Sequence, residues 1–252
     1  MQNVLPFDQH LIGMLTPSSN TVLEPYTSRL LEPLFPAVSA HFGRFRVTRI
    51  ALDEGASDQF RAEPILVAAE LLADARMDVM AWNGTSASWL GFDTDERLCE
   101  AILARTGIPA TSAVLSLNRL IQETGAQRIA FVTPYTQDVE AHIARNYTDL
   151  GLDVVACARC DLSDNFSFAT VTEETIEAMC TQVAAAQPDA IAILCTNMRG
   201  ALVGAQVEQR LGVKVFDSVS ATLWGCLRAI GVPTDPLAGF GSLFLSRATA
   251  QG

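Results

Sequence analysis

Asp78-Val-Met-Ala-Trp-Asn-Gly-Thr85 and Asp189-Ala-Ile-Ala-Ile-Leu-Cys-Thr196 are one pattern written twice, 111 residues apart. Each copy has an aspartate, then a short apolar run, then a polar stretch. Such a run reads as a buried strand, and the residues after it as the loop at its carboxyl end. Two further blocks repeat in the same order. Ile12-Gly-Met-Leu-Thr-Pro17 matches Ile129-Ala-Phe-Val-Thr-Pro134 at 117 residues, and Gly107–Gly125 resembles Gly212–Gly231 at 105 to 106. Two copies are too few for a solenoid, so the repetition predicts two similar α/β halves.

Around these blocks the periodicity alternates. Strand-length apolar runs lie at Leu11–Thr16, Val79–Trp82, Arg128–Thr133, Leu152–Ala156, Ala190–Leu194 and Val213–Phe216. Helical spacing marks Ile65–Ala75, Arg97–Thr106, Ala113–Glu123, Val139–Leu150, Thr172–Ala186, Ala201–Leu211 and Val219–Ile230, and a further helix should begin near Leu23. Gly107, Gly125, Gly151, Gly212 and Gly231 each follow such a stretch, where a helix-ending glycine belongs. Alternating strands and helices predict mostly parallel sheets covered on both faces. In such sheets ligands sit beyond the strand carboxyl ends, so two facing halves would set four strand-end loops around one cleft.

Composition narrows the function. The chain of 252 residues is 49% apolar, enough for a sizeable core, and carries 17 basic against 28 acidic side chains, a net charge of −11. Such a surface repels polyanions, which argues against nucleic acid and anionic membranes. No apolar run nears the ~18 residues of a spanning helix, and Met1 to His10 lacks a secretory leader pattern, so a cytoplasmic protein is expected. Six cysteines are too few for a disulfide scaffold. Cys157-Ala-Arg-Cys160 lies in the apolar run Leu152–Cys160, which reads as a strand, with no second pair to complete a zinc site, and there are three histidines in all. The expectation is an activity without metal or cofactor.

The loops carry the chemistry. Thr16-Pro17-Ser18-Ser19-Asn20-Thr21 and Asn83-Gly84-Thr85-Ser86 place hydroxyls and amides where a strand hands over to a helix, suited both to capping and to holding a carboxylate. Gly84 permits close backbone approach to a ligand. Cys195 stands at the matching junction of the second half, followed by Thr196-Asn197-Met198-Arg199, where backbone amides favour an anion. Cys99, Cys180 and Cys226 read as core filler. Tyr135, after Thr133-Pro134, adds a phenol. Trp82, Trp89 and Phe92 fit either a pocket wall or the core, with the core preferred, and Glu173-Glu174 read as favourable charge at a helix start.

Pro17-Ser18-Ser19-Asn20-Thr21, Gly84-Thr85-Ser86, Thr133-Pro134-Tyr135, Asp164-Asn165 and Cys195-Thr196-Asn197-Met198-Arg199 together resemble the aspartate/glutamate racemase superfamily, in its maleate cis-trans isomerase and arylmalonate decarboxylase branch. The resemblance spans nearly the whole chain. It implies an α/β fold of two pseudo-symmetric halves with the active site between them: residues 1–115 with 218–252, and residues 116–217, the last segment crossing back to complete the first half. It also implies substrate binding by Pro17, Ser18, Asn20, Gly84, Thr85, Ser86, Tyr135, Asn165 and Thr196, with Cys195 catalytic.

Racemases and isomerases of this family carry one cysteine per half. Here the repeat sets Gly84, not a second cysteine, opposite Cys195. That departure resembles the family's decarboxylases. On this reading a malonate-like aryl- or alkyl-substituted acid loses carbon dioxide, and the enediolate is held by donors worth about 3–4 kcal/mol each. Cys195, as a neutral thiol, then protonates one face. Ser18-Ser19-Asn20, Asn165 and the Cys195–Arg199 string look more like the isomerases, and Asn20 and Asn165 would suit a second carboxylate or another polar substituent. A maleate isomerase-like or racemase activity on a small carboxylate therefore stays open, with Cys195 as the nucleophile. Other lyase or hydrolase chemistry and a non-catalytic small-acid binding protein are also open, as is a homo-oligomer.

Overall fold

β1 (His10–Pro17) is buried from Ile12 onward and pairs in parallel with β2 (Val38–Phe45) on one side and β3 (Val79–Trp82) on the other. β4 (Ala110–Ser112) extends the sheet beyond β3, giving the order β2-β1-β3-β4. The second repeat block builds the same arrangement from β5 (Arg128–Thr133), β6 (Asp153–Arg159), β7 (Ala190–Ile193) and β8 (Lys214–Asp217), in the order β6-β5-β7-β8. These sheets come from a computed structural model that describes residues 9–47 and 62–245, so most of the N-terminal stretch read above for a leader lies outside the described residues. Every strand pair is parallel.

The fold is therefore α/β, two parallel four-stranded sheets flanked by helices. In each sheet the chain order reverses beside the first strand, between β1 and β3 and between β5 and β7. Ligands of open α/β sheets bind at such switch points. The four loops singled out in the sequence follow β1, β3, β5 and β7.

Helices cover both sheets: α1 (Leu23–Leu31), α2 (Ala62–Ala73), α3 (Ala87–Leu90), α4 (Asp93–Thr106), α5 (Ala113–Thr124), α6 (Gln137–Asp149), α7 (Glu173–Ala184), α8 (Gly204–Leu211) and α9 (Ser218–Ala229). Their ends follow local chemistry. Ser112 caps α5 by accepting from Leu115 N, Thr172 caps α7 by accepting from Thr175 N, and Asp217 caps α9 by accepting from Val219 N and Ser220 N. The five glycines read as helix ends all have positive φ. The predicted helices are observed within a few residues of their expected bounds, and Thr172–Ala186 is two residues shorter at its C-terminal end.

β2 and β4 were not foreseen. β2 is an edge strand whose middle residues are partly exposed, so Val38-Ser-Ala-His-Phe-Gly-Arg-Phe45 lacks the apolar run that marks a buried strand. β4 has three residues, too short for a period to register.

α9 is apolar around most of its circumference and buried from Ser218 to Leu227, as a helix enclosed on all sides must be. It follows β8 yet packs against α5, α1, β3 and β4, so the chain's last long helix returns to the first sheet. Gly225 makes that contact close: a Cβ there would stand 2.1 Å from the Ser116 hydroxyl.

Candidate active site

The loops after β3 and β5 meet through two hydroxyls. The Tyr135 phenol oxygen lies 2.5 Å from Thr85 Oγ1. Tyr135 is fixed by its ring, edge-on to Trp89 at 5.1 Å and to Phe168 at 5.5 Å. The same phenol is hydrogen-bonded with the Cys195 thiol, so it touches both the first-half loop and the end of β7. Thr85, Ser86, Tyr135 and Cys195 are all 5% exposed or less.

That enclosure decides the protonation states. Burial, opposed only in part by the Asn197 amide and the Tyr135 phenol, pushes the Cys195 thiol up to about 12. The Asn197 N–H points at the sulfur from 3.3 Å. Burial and the adjacent Cys195 hold the Tyr135 phenol well above its usual value. At neutral pH burial keeps both the thiol and the phenol in their neutral forms. Asp217, at the end of β8, is also buried and pushed up to about 7. Its Oδ1 accepts from Val219 N at 2.8 Å and Ser220 N at 3.1 Å, while Oδ2 has no partner among the described residues.

A hydrogen-bonded seam joins the halves beside this group. Asn20 Oδ1 accepts from Val22 N and Leu23 N, both at 2.9 Å, which starts α1, and Nδ2 donates to Thr196 O at 3.1 Å and Thr196 Oγ1 at 3.3 Å. Thr196 Oγ1 donates to Asn83 O at 2.8 Å. Asn197 Oδ1 accepts from Thr21 N at 3.0 Å, and Nδ2 donates to Asn165 O at 2.5 Å. Asn165 Nδ2 donates to Ser19 Oγ at 2.7 Å. Asn20, Asn165 and Thr196, expected to bind substrate, thus hold the two halves together with the same atoms. Pro17 is buried at the end of β1. Ser18 is exposed and its hydroxyl donates to Val47 O.

Two residues named in the sequence reading take a sharper role in three dimensions. Asn197 belongs to the Cys195–Arg199 string, but its role as a tie shows only in three dimensions. Trp82, preferred as core, is 1% exposed and packs directly on Gly84, where a Cβ would stand 1.9 Å from Cζ2. Arg199 donates from Nε to Ala169 O at 2.9 Å.

Paired parallel sheets whose hydroxyl-bearing loops meet beside a buried cysteine fit the aspartate/glutamate racemase superfamily. More narrowly, the chain belongs to the arylmalonate decarboxylase family, whose profile matches residues 32–244. It is 27% identical to arylmalonate decarboxylase from Bordetella bronchiseptica over 92% of this chain and 95% of that protein. It is 23% identical to maleate isomerase from Alcaligenes faecalis over 88% and 92%. Among solved structures, a Cys→Ser variant of the Nocardia farcinica maleate cis-trans isomerase with a covalently bound succinylcysteine intermediate superposes with a TM-score of 0.83 at 21% identity, covering 93% of this chain and 98% of that one. Both enzyme types of the family lie at similar distance.

Proposed function

We propose that this protein is a cofactor-independent decarboxylase of a malonate-like acid carrying an aryl or alkyl substituent. The observation that supports the reading is the pair of positions matched by the repeat: Gly84, with Trp82 packed on it, where a two-cysteine enzyme needs a thiol, and Cys195 as a buried, neutral one. In this reading one carboxylate is held by Thr85, Ser86 and Tyr135 with the backbone amides after Gly84 and Cys195. As carbon dioxide leaves, the electron pair of the breaking C–C bond passes into that carboxylate and forms an enediolate. Fixed donors stabilise the new charge without reorganising. The leaving carboxylate faces apolar side chains, where an unpaired charge is costly. The Cys195 thiol then gives its proton to one face of the α-carbon, and solvent restores it.

A second reading is cis-trans isomerisation of a small dicarboxylate with Cys195 as the nucleophile, favoured by the succinylcysteine described for the Nocardia farcinica relative. It requires a thiolate, which burial opposes here. One experiment separates the two: the purified protein is offered phenyl- and alkylmalonates with carbon dioxide release followed, and maleate with fumarate formation followed. Carbon dioxide from a malonate, abolished in Cys195→Ala, supports the first reading. Fumarate without carbon dioxide replaces it with the second.

A further inference from the structure

Gly84 faces the six-membered ring of Trp82: a Cβ on it would stand 1.9 Å from Cζ2, 2.4 Å from Cε2 and 2.5 Å from Cη2. The indole cannot easily yield. Its ring packs on Phe45 at a centroid distance of 5.2 Å, and its side chain is hydrogen-bonded to the carboxyl of Asp95 on α4. Asp95 is 2% exposed and is also held by Ser112, the residue that caps α5. With Ile65, Ser86, Leu90, Asp95 and Leu98, Trp82 also lines a half-open groove of about 460 Å³. Trp82 therefore walls off Gly84 and at the same time borders that groove.

We propose that Trp82 is a specificity-determining residue, setting the bulk of the α-substituent the site admits and denying position 84 any side chain, and that Asp95 is the positioning residue that holds the indole in place. The substrate series that reads this rests on the decarboxylase reading. The wall itself does not.

Trp82→Ala removes the indole from over Gly84 and from the lining of the groove. The ratio of kcat/KM for a bicyclic arylmalonate over methylmalonate is then expected to rise at least about tenfold, the scale on which hydrophobic pockets discriminate. Asp95→Ala should shift the ratio in the same direction, and Asp95→Asn, which keeps an acceptor for the indole N–H, should restore it. An unchanged ratio in a folded Trp82→Ala protein overturns the specificity role, and Asp95→Asn behaving as Asp95→Ala overturns the positioning role. A measurement free of turnover accompanies these: Gly84→Ala is expected to lower Tm in the native background and to lower it less in Trp82→Ala. Equal losses in the two backgrounds overturn the wall whatever the substrate. No carbon dioxide from any malonate, with the Tm coupling intact, overturns the decarboxylase reading and leaves the wall standing.

Discussion

The Tyr135 phenol and the Thr85 hydroxyl, 2.5 Å apart, come from opposite halves and bring the β3 and β5 loops into direct contact. The contact is short because each group has few alternatives. Thr85 is 5% exposed and Tyr135 2% exposed, and a buried hydroxyl without a partner is costly. The same phenol is hydrogen-bonded with the Cys195 thiol, so one side chain links the β3 loop to the end of β7.

Removing the phenol tests that alignment. Tyr135→Phe keeps the ring packing on Trp89 and Phe168 and deletes only the oxygen. If the phenol stabilises the developing enediolate, kcat should fall about 10²–10³-fold with little change in unfolding midpoint. A fall below about twofold removes it from that role.

Cys195→Ser keeps nearly the same volume at a fully enclosed position but offers a far weaker acid. Loss of a general acid is expected to cost about 10²–10⁴-fold in rate. Steady-state decarboxylation measured beside a circular dichroism spectrum separates this from misfolding. Retained turnover excludes the thiol as proton donor.

Asn20→Ala should act on stability first. It removes the acceptor that caps the start of α1 and the donor to Thr196 across the seam. A lost cap costs about 0.5–2 kcal/mol and a broken buried hydrogen bond a similar amount, so urea unfolding should move to a clearly lower midpoint. An unchanged midpoint would show the seam contributes nothing.

Asp95 and Asp217 predict a pH dependence of defined sign. Burial pushes each from 3.8 to about 7, so between these values the native state binds protons that the unfolded state has released. The associated stability is complete below the lower value and lost as pH rises through about 7. Unfolding free energies of Asp217→Asn and Asp95→Asn, measured from about pH 4 to about pH 8, should therefore lack part of the decline with rising pH seen in the parent protein. Variant and parent curves running parallel would contradict the assignment.

The central strands, the order of the four loops and the helix ends were all legible in the residues. Buried parallel strands must be apolar along their length, and β3 and β7 are buried at every position. Helix caps and terminal glycines are equally local in cause. β2 was not legible, because a partly exposed edge strand is under no such constraint, and the three residues of β4 are too few to show a period.

For the site, the sequence supplied Gly84, Thr85, Tyr135 and Cys195 as the residue types that the proposed decarboxylation calls for, together with the missing second thiol. It did not supply partners. That Asn20 spends its carboxamide on Thr196, 176 positions away, that Trp82 fills the space over Gly84, and that Asp95 on α4 holds Trp82 depends on how segments distant in sequence pack together. Periodicity records whether a side chain is buried, because burial is dictated by its own element. Which buried groups touch is decided only when the two sheets and α9 close on one another. Desolvation there pushes the Cys195 thiol further from ionising than an exposed cysteine would be.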